Sequence, residues 1–404
     1  MSTSLLYRTF GIRGYQYVAT RYEKGRTVFV VEQARERLCC PECRSRNVLR
    51  RGQSVREFRT VPIGNKPVFV RLAVQRVECR SCGVIRQVQV TFAQRRRSYT
   101  RAFERYALDL SRHMTIKDVA AHLGVSWDVI KDIQKRYLVR RFAKPKLRKL
   151  KRIGIDEICI GRGRRYVTVV LDLDSGAVVF VGENHDAAAL DPFWRSVKAA
   201  HAKLEAVAVD MWPAYSLAIR THIPDAVIVY DHFHVIKLFN DGLSGLRRDV
   251  QREAAEQLQK KVLKGTRWLL LKNPENLDES RNERARLDEA LRLNKPLATA
   301  YYLKEDLRQF WAQPDKAAAA AFLADWIARA EASGVRMLQK FAKTLAAHRA
   351  GLLAYYDYPI STARLEGTNT KIKLLQRQAY GFRDREFFKL KIKGIHETKY
   401  ALVG

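Results

Sequence analysis

The sequence predicts a multidomain α+β chain: a basic front segment, then an α/β body interrupted by a long helical stretch. Three observations predict it. The 404 residues carry 75 Lys+Arg against 42 Asp+Glu, a net charge of +33, and residues 1–155 hold 36 of the bases but only 11 of the acids. Two Cys-x-x-Cys pairs lie in that basic third. From residue 153 on, short apolar strands alternate with helical patterns in the order βββαβαβ. A hydrophobic content of 47% marks a folded chain, and its length suits two or three domains. A field this positive excludes the ordinary small-metabolite enzyme and points to a polyanion. No run of 18 apolar residues exists and Met1–Gln16 carries no signal-like apolar core. That leaves nucleic acid rather than a membrane surface as the expected partner, and a cytoplasmic location.

Residues 1–98 are read as one basic segment. Cys40 and Cys43, with Cys79 and Cys82, form two knuckles, each able to aim two thiolates at one ion. Alternation in Lys66–Val74 predicts strand between them. Two knuckles joined by strands make a zinc ribbon, with structural Zn2+ supplying the folding free energy of a small arginine-rich unit. A redox pair explains neither the duplication nor the flanking arginines. Cys39 adjoins the first pair as a competing ligand, and Cys159 is read as a small buried apolar residue.

Residues 99–143 follow the basic run Arg95, Arg96 and Arg97. In Thr115–Ile130, a short helix with Val119, Ala120 and Leu123 on one side reaches Gly124, and Ser126 stands where it caps a second helix. This is the pattern of a helix-turn-helix, whose second helix would offer Ser126, Trp127 and Lys131 to a DNA major groove. Asp128 and Asp132 on that helix favour the alternative, a helical hairpin used for packing. Residues 144–152 are a basic linker whose Lys146, Arg148, Lys149 and Lys151 suit a phosphate backbone.

The body begins with Ile153–Glu157, read as a strand ending in an acid. Strands at Arg165–Asp172 and Ala177–Gly182 complete a meander. A helix through Phe193 and Val197 leads to Ala206–Asp210, and a helix opening at Met211 leads to Ala226–Asp231. This order is that of an RNase H-like fold, in which the first and fourth strands are neighbours. Asp156 and Asp210 then lie close together, and two such carboxylates need a cation between them. Magnesium prefers oxygen ligands and leaves room for phosphate. Residues 153–239 form the first part of this α/β domain and 356–404 the last. Helical spacing across 240–355 predicts an all-helical insertion between them. In the last part, Glu366, Asn369 and Lys373 share one helix face. The acid is the third carboxylate, and the other two are candidate phosphate or base contacts. His232 and His234 are read as an alternating pair on a strand.

These marks together, Cys40–Cys43 with Cys79–Cys82, Gly154–Glu157, Ala208–Trp212, Asp231–Val235 and Leu365–Asn369, resemble the ISL3-type transposases of bacterial insertion sequences along nearly the whole chain. The resemblance implies a DDE transposase with Asp156, Asp210 and Glu366 as catalytic triad and ligands of two Mg2+ (or Mn2+) ions. It implies that Asp231, His232 and His234 flank the site, as second shell or DNA contact. It further implies recognition of terminal inverted repeats in double-stranded DNA, 3′-hydroxyl transfer to target DNA, and action at the nucleoid. Holding two ends together requires at least a homodimer. A DNA-binding regulator without catalysis and a structure-specific nuclease of the same fold are the rival readings.

Overall fold

The computed structural model describes residues 3–161, 165–184, 187–253, 262–264 and 266–397. The chain divides into two compact units, Met1–Arg141 and Phe142–Gly404.

The first unit is built on a five-stranded sheet. Its strands are β1 (Tyr15–Glu23), β2 (Arg26–Gln33), β3 (Val48–Ile63), β4 (Lys66–Cys79) and β5 (Ile85–Gln87). The order is β1-β2-β4-β3, with β5 also on β4; β2 and β4 run parallel and the other pairs antiparallel. Alternation along β4 buries Val68, Val70, Leu72 and Val74 against Phe10, Phe29, Phe58 and Phe92. On the sheet's other face, Arg71 bonds both Glu23 and Glu57.

Three helices follow: Arg101–Leu110, Ile116–Leu123 and Trp127–Phe142. The Thr100 and Thr115 side chains accept from Phe103 N–H and Asp118 N–H, capping the first two. Gly124 ends the second at φ 60°, ψ 44°, the left-handed geometry in which a side chain is strained. Phe103, Val119, Leu123, Ile130 and Ile133 form the small core between the helices. This cluster is tied to the sheet. Arg59 N–H donates to Ser98 O and Thr100 N–H to Arg59 O. The Arg59 guanidinium reaches Leu123 O at 2.9 Å, and the Thr100 hydroxyl donates to Thr60.

The second unit has a mixed sheet of β6 (Arg152–Gly161), β7 (Arg165–Asp172), β8 (Val178–Glu183), β9 (Ala206–Val209) and β10 (Val227–Tyr230). Its order is β10-β9-β6-β7-β8. β6, β7 and β8 form the antiparallel meander, while β9 and β10 join β6 in parallel. Helices Asp191–Ala199 and Pro213–His222 make the crossovers. β9 is fully buried, Ala-Val-Ala-Val, as a central parallel strand should be. After β10 the chain is helical from His232–Glu253 to Arg349–Leu353 among the described residues, and the helix Ala363–Gln378 then returns to the sheet.

Several expectations change. β6 continues to Gly161 because β7 pairs with it throughout, so Asp156 lies mid-strand rather than at a strand end. The helix after β9 opens at Pro213. His232 and His234 begin a helix, not a strand: Val235 N–H already donates to Asp231 O. Cys159 is exposed. No helix among the described residues is long and apolar enough to cross a membrane.

Candidate functional site

Two clusters stand out, one in each unit. In the first, the four cysteine sulfurs lie within 4.8 Å of one another. Cys40 and Cys82 Sγ are 3.6 Å apart, and Cys43 and Cys79 Sγ 3.5 Å. A tetrahedron of zinc–sulfur bonds about 2.3 Å long has edges of about 3.8 Å, so the spacing of the thiols suits such an ion. The two knuckles are matched. Arg44 N–H donates to Cys40 O and Gly83 N–H to Cys79 O, while Cys40 N–H reaches Ser45 O and Cys79 N–H reaches Val84 O. Burial raises the Cys79 thiol, but the N–H groups of Cys82 and Ser81 and the neighbouring thiols overcome it and bring it down to about 6. A four-cysteine cluster of this kind suggests a structural zinc site; Cys39 is not part of it.

The helix Trp127–Phe142 places Ser126, Trp127 and Asp128 in solvent. Lys131 Nζ lies 5.7 Å from the Trp127 ring centroid. Asp132 belongs to an internal network: Arg97 and Arg136 pair with it at 3.2 and 3.0 Å, and Arg136 also bonds Glu104. One of the two acids that favoured a packing hairpin is therefore neutralised within the unit, and Arg97 is engaged there. Arg95 and Arg96 are exposed. In the second unit, Lys146, Arg148 and Lys149 face solvent around the buried Leu147 and Leu150. Lys151 pairs with Glu205 at 2.9 Å.

The second cluster is set by strand register. Gly154 pairs with Ala208 across the parallel β6–β9 contact, so Asp156 and Asp210 sit side by side two residues further on. Tyr230 pairs with Val209, which brings Asp231 beside Asp210 at the end of β10. The third acid arrives on the helix Ala363–Gln378. A Cβ on Gly154 would lie 2.8 Å from Leu365 Cδ1, so the missing side chain lets the helix close onto β6. Arg364 donates to Leu173 O, Gln376 to Ile160 O, and Asn369 Nδ2 to Asp156 Oδ2 at 2.7 Å. Asn369 thus touches an acid of the cluster; Lys373 is exposed on the same helix.

Asp231 is 1% exposed, too deep for a DNA contact. Its Oδ1 accepts from Thr362 N–H at 2.9 Å, at the start of the Glu366 helix, and its Oδ2 pairs with His234 Nδ1 at 3.2 Å. The far side of that ring, Nε2, lies 3.9 Å from Asp156 Oδ1. Burial disfavours charge on His234, but Asp231 and the carboxylates of Asp156 and Asp210 hold its pKa above the usual value. His232 is exposed, with its ring 5.6 Å from that of Trp311.

Burial pushes the pKa of Asp156, Asp210 and Glu366 upward; repulsion from Asp210 adds to it at Asp156, and from Asp231 and Asp156 at Glu366. Glu366 Oε1 and Asn369 Oδ1 are buried with no hydrogen-bond partner. Carboxylates and orphaned oxygens are the donor type a hard divalent cation takes, with the His234 ring beside them. Among the described residues only the four cysteines already lie within 4.8 Å of one another, and the acids do not. Sequence reasoning missed three neighbours. Lys237 acts electrostatically on Asp210 and lies one helical turn beyond His234, a spacing visible once His232–Glu253 is read as helix. Tyr215 donates to Glu157, fastening the sheet face opposite Asp156. Trp212 donates its N–H to Asp210 Oδ1 at 3.1 Å.

Family comparisons divide the chain in the same order, and each names a transposase. A zinc-finger of transposases IS204/IS1001/IS1096/IS1165 matches residues 36–82, a helix-turn-helix domain of transposase family ISL3 matches 88–138, and the DDE-type ISL3 transposase domain matches 153–392. The chain belongs to the ISL3 family of insertion-sequence transposases, of DDE type. It is 32% identical over 387 residues to a transposase for insertion sequence element IS1001 from Bordetella parapertussis, covering 94% of each chain. It is 30% identical over 364 residues to a transposase for insertion sequence element IS1557 from Mycobacterium tuberculosis, covering 82% of this chain and 80% of that one. Among solved structures, the Drosophila P element transposase strand transfer complex aligns at a TM-score of 0.43 and 11% identity, over 76% of this chain and 94% of that one.

Proposed function

We propose that this chain binds the terminal inverted repeats of an insertion sequence, cleaves the DNA at its ends and joins the freed 3′-hydroxyls to target DNA, with Asp156, Asp210 and Glu366 as the catalytic carboxylates. One observation carries the reading: parallel register and the Gly154–Leu365 contact bring three half-buried acids toward one another, with orphaned buried oxygens on Glu366 and Asn369. The strand order β8-β7-β6-β9-β10 supports an RNase H-like core, with the helical stretch before the third acid as an insertion. Two Mg2+ or Mn2+ ions held by the three acids would polarise the scissile phosphate and lower the pKa of an attacking water.

The chain's own residues make that arrangement. Asp231 fixes the start of the Glu366 helix and orients His234 toward Asp156. Asn369 holds one Asp156 oxygen. In the first reaction a water oxygen bonds to phosphorus and the element's 3′ oxygen leaves. In the second, that 3′-hydroxyl attacks a target phosphodiester and displaces a target 3′ oxygen. No covalent protein–DNA bond is needed. The exposed Arg95, Arg96, Trp127, Lys146, Arg148, Lys149 and Lys373, with the half-buried Lys131, supply phosphate and groove contacts, and a homodimer holds the two ends.

A strand-transfer assay with labelled element ends, target DNA and Mg2+ tests this reading. Joined products are expected. Cleaved ends without joining would leave a nuclease, and a gel shift without cleavage would leave a regulator.

A further inference from the structure

Two of the acids are followed, at the same distance, by a large aromatic side chain in solvent. Trp212 comes two residues after Asp210 and is 47% exposed; Phe233 comes two residues after Asp231 and is 46% exposed. Because β9 and β10 are adjacent parallel strands in register, these two residues leave neighbouring strand ends together. Their backbones are held. Trp212 donates its N–H to Asp210 and is the extended residue before Pro213, which starts a helix. Phe233 lies in the first turn of His232–Glu253, its ring edge-on to His234 at 5.7 Å. What sets these two apart from other exposed aromatic residues is their place, two residues beyond Asp210 and Asp231 at neighbouring strand ends.

The chemistry of the substrate says what would cover it. Two residues span at most about 7 Å, so a nucleotide whose phosphate sits at Asp210 keeps its own base within reach of Trp212. In a duplex that base is stacked and paired and offers no face to an indole. Enzymes that work on a base extrude its nucleotide from the duplex, and aromatic rings in single-strand-binding proteins stack on bases whatever their identity.

We infer that Trp212, assisted by Phe233, is the stacking platform for an unpaired base beside the phosphate that is cut, so that the element end is opened before cleavage. The inference rests on the transposase reading of the acid cluster. It makes Trp212 a positioning residue, and it makes locally melted DNA the preferred substrate.

The test uses the full chain, Mg2+ and labelled element ends of two kinds: fully paired, or mismatched across the base pairs at the cleavage site. Trp212→Ala should cleave paired ends more slowly by about 5- to 150-fold, the loss of one base stack. It should approach the wild-type rate on mismatched ends, with Trp212→Phe between the two. A 2-aminopurine next to the opened base, which loses a stacking neighbour without itself meeting the indole, should brighten when the wild type binds in Ca2+, and stay dim with Trp212→Ala. Wild-type cleavage of paired ends by Trp212→Ala would overturn the inference. So would an equal loss on both substrates, since that marks a defect in folding or in the acid site. If the wild-type protein cleaves neither substrate, it is the transposase reading that fails.

Discussion

The two clusters answer the same problem, several ligand atoms held at one point, in opposite ways. The four thiols lie within 4.8 Å of one another, with sulfur contacts of 3.5 and 3.6 Å set by two matched backbone loops. The acids are gathered from β6, β9 and a helix more than 150 residues later. They are partly met by protein donors, Asn369 and Trp212 N–H, and partly left with an oxygen unsatisfied. A closed four-thiol site has no place for a substrate, whereas an under-satisfied carboxylate cluster does. The first arrangement is built for holding a fold together and the second for exchanging partners.

That contrast can be broken at either end. The largest effect is expected at the thiols, since structural zinc in small domains carries about 10 kcal/mol or more of folding free energy. Cys40→Ser with Cys43→Ser should lose bound zinc, cooperative melting of the first unit and end binding; metal analysis and calorimetry would show it. Asp156→Asn should instead remove at least about 4 kcal/mol of barrier lowering, a thousandfold or more in cleavage rate, with end binding kept. Because burial holds the Asp156 pKa up, its ionised form is unfavourable in the fold. Asparagine relieves that, so the melting temperature should hold or rise near neutral pH. Asp231→Ala reverses the pattern. It strips a buried carboxylate from His234 and Thr362 and should cost about 3 kcal/mol in stability as well as activity. Gly154→Ala forces the Leu365 contact apart and should cost about 2 kcal/mol, with cleavage falling as Glu366 retreats. Gly367→Ala is the smallest and opposite in sign. A Cβ there meets nothing within 4 Å, so the variant should gain about 0.5–1 kcal/mol in thermal unfolding.

Much of this was legible in the sequence, for physical reasons. The Cys-x-x-Cys spacing is local, and so is Gly124 between two apolar-faced helices. Asp156 and Asp210 could be paired because apolar runs of strand length fix where each strand begins. What escaped was non-local. Asp156 lies mid-strand because β7 extends the pairing, which a single segment cannot reveal. Three residues, His232 to His234, are too short to separate a strand's period from the first turn of a helix. Asp132 looked like a surface charge on a reading helix; Arg136 is a local partner one turn along the same helix, but Arg97 comes to it from 35 residues away. The oxygen of Asp156 that meets Asn369 is 213 residues distant, a distance over which no pattern in the sequence reports.

The bond from Thr362 to Asp231 also sets an order in time. Every group of the thiol centre and the three-helix cluster has been made once the chain reaches residue 142, but the acid cluster stays open until the segment around Glu366 returns to the sheet. At about 5–20 residues per second, a ribosome needs on the order of 10–45 seconds to travel between those points. A chain still being made thus completes its thiol centre and three-helix cluster well before its acid cluster.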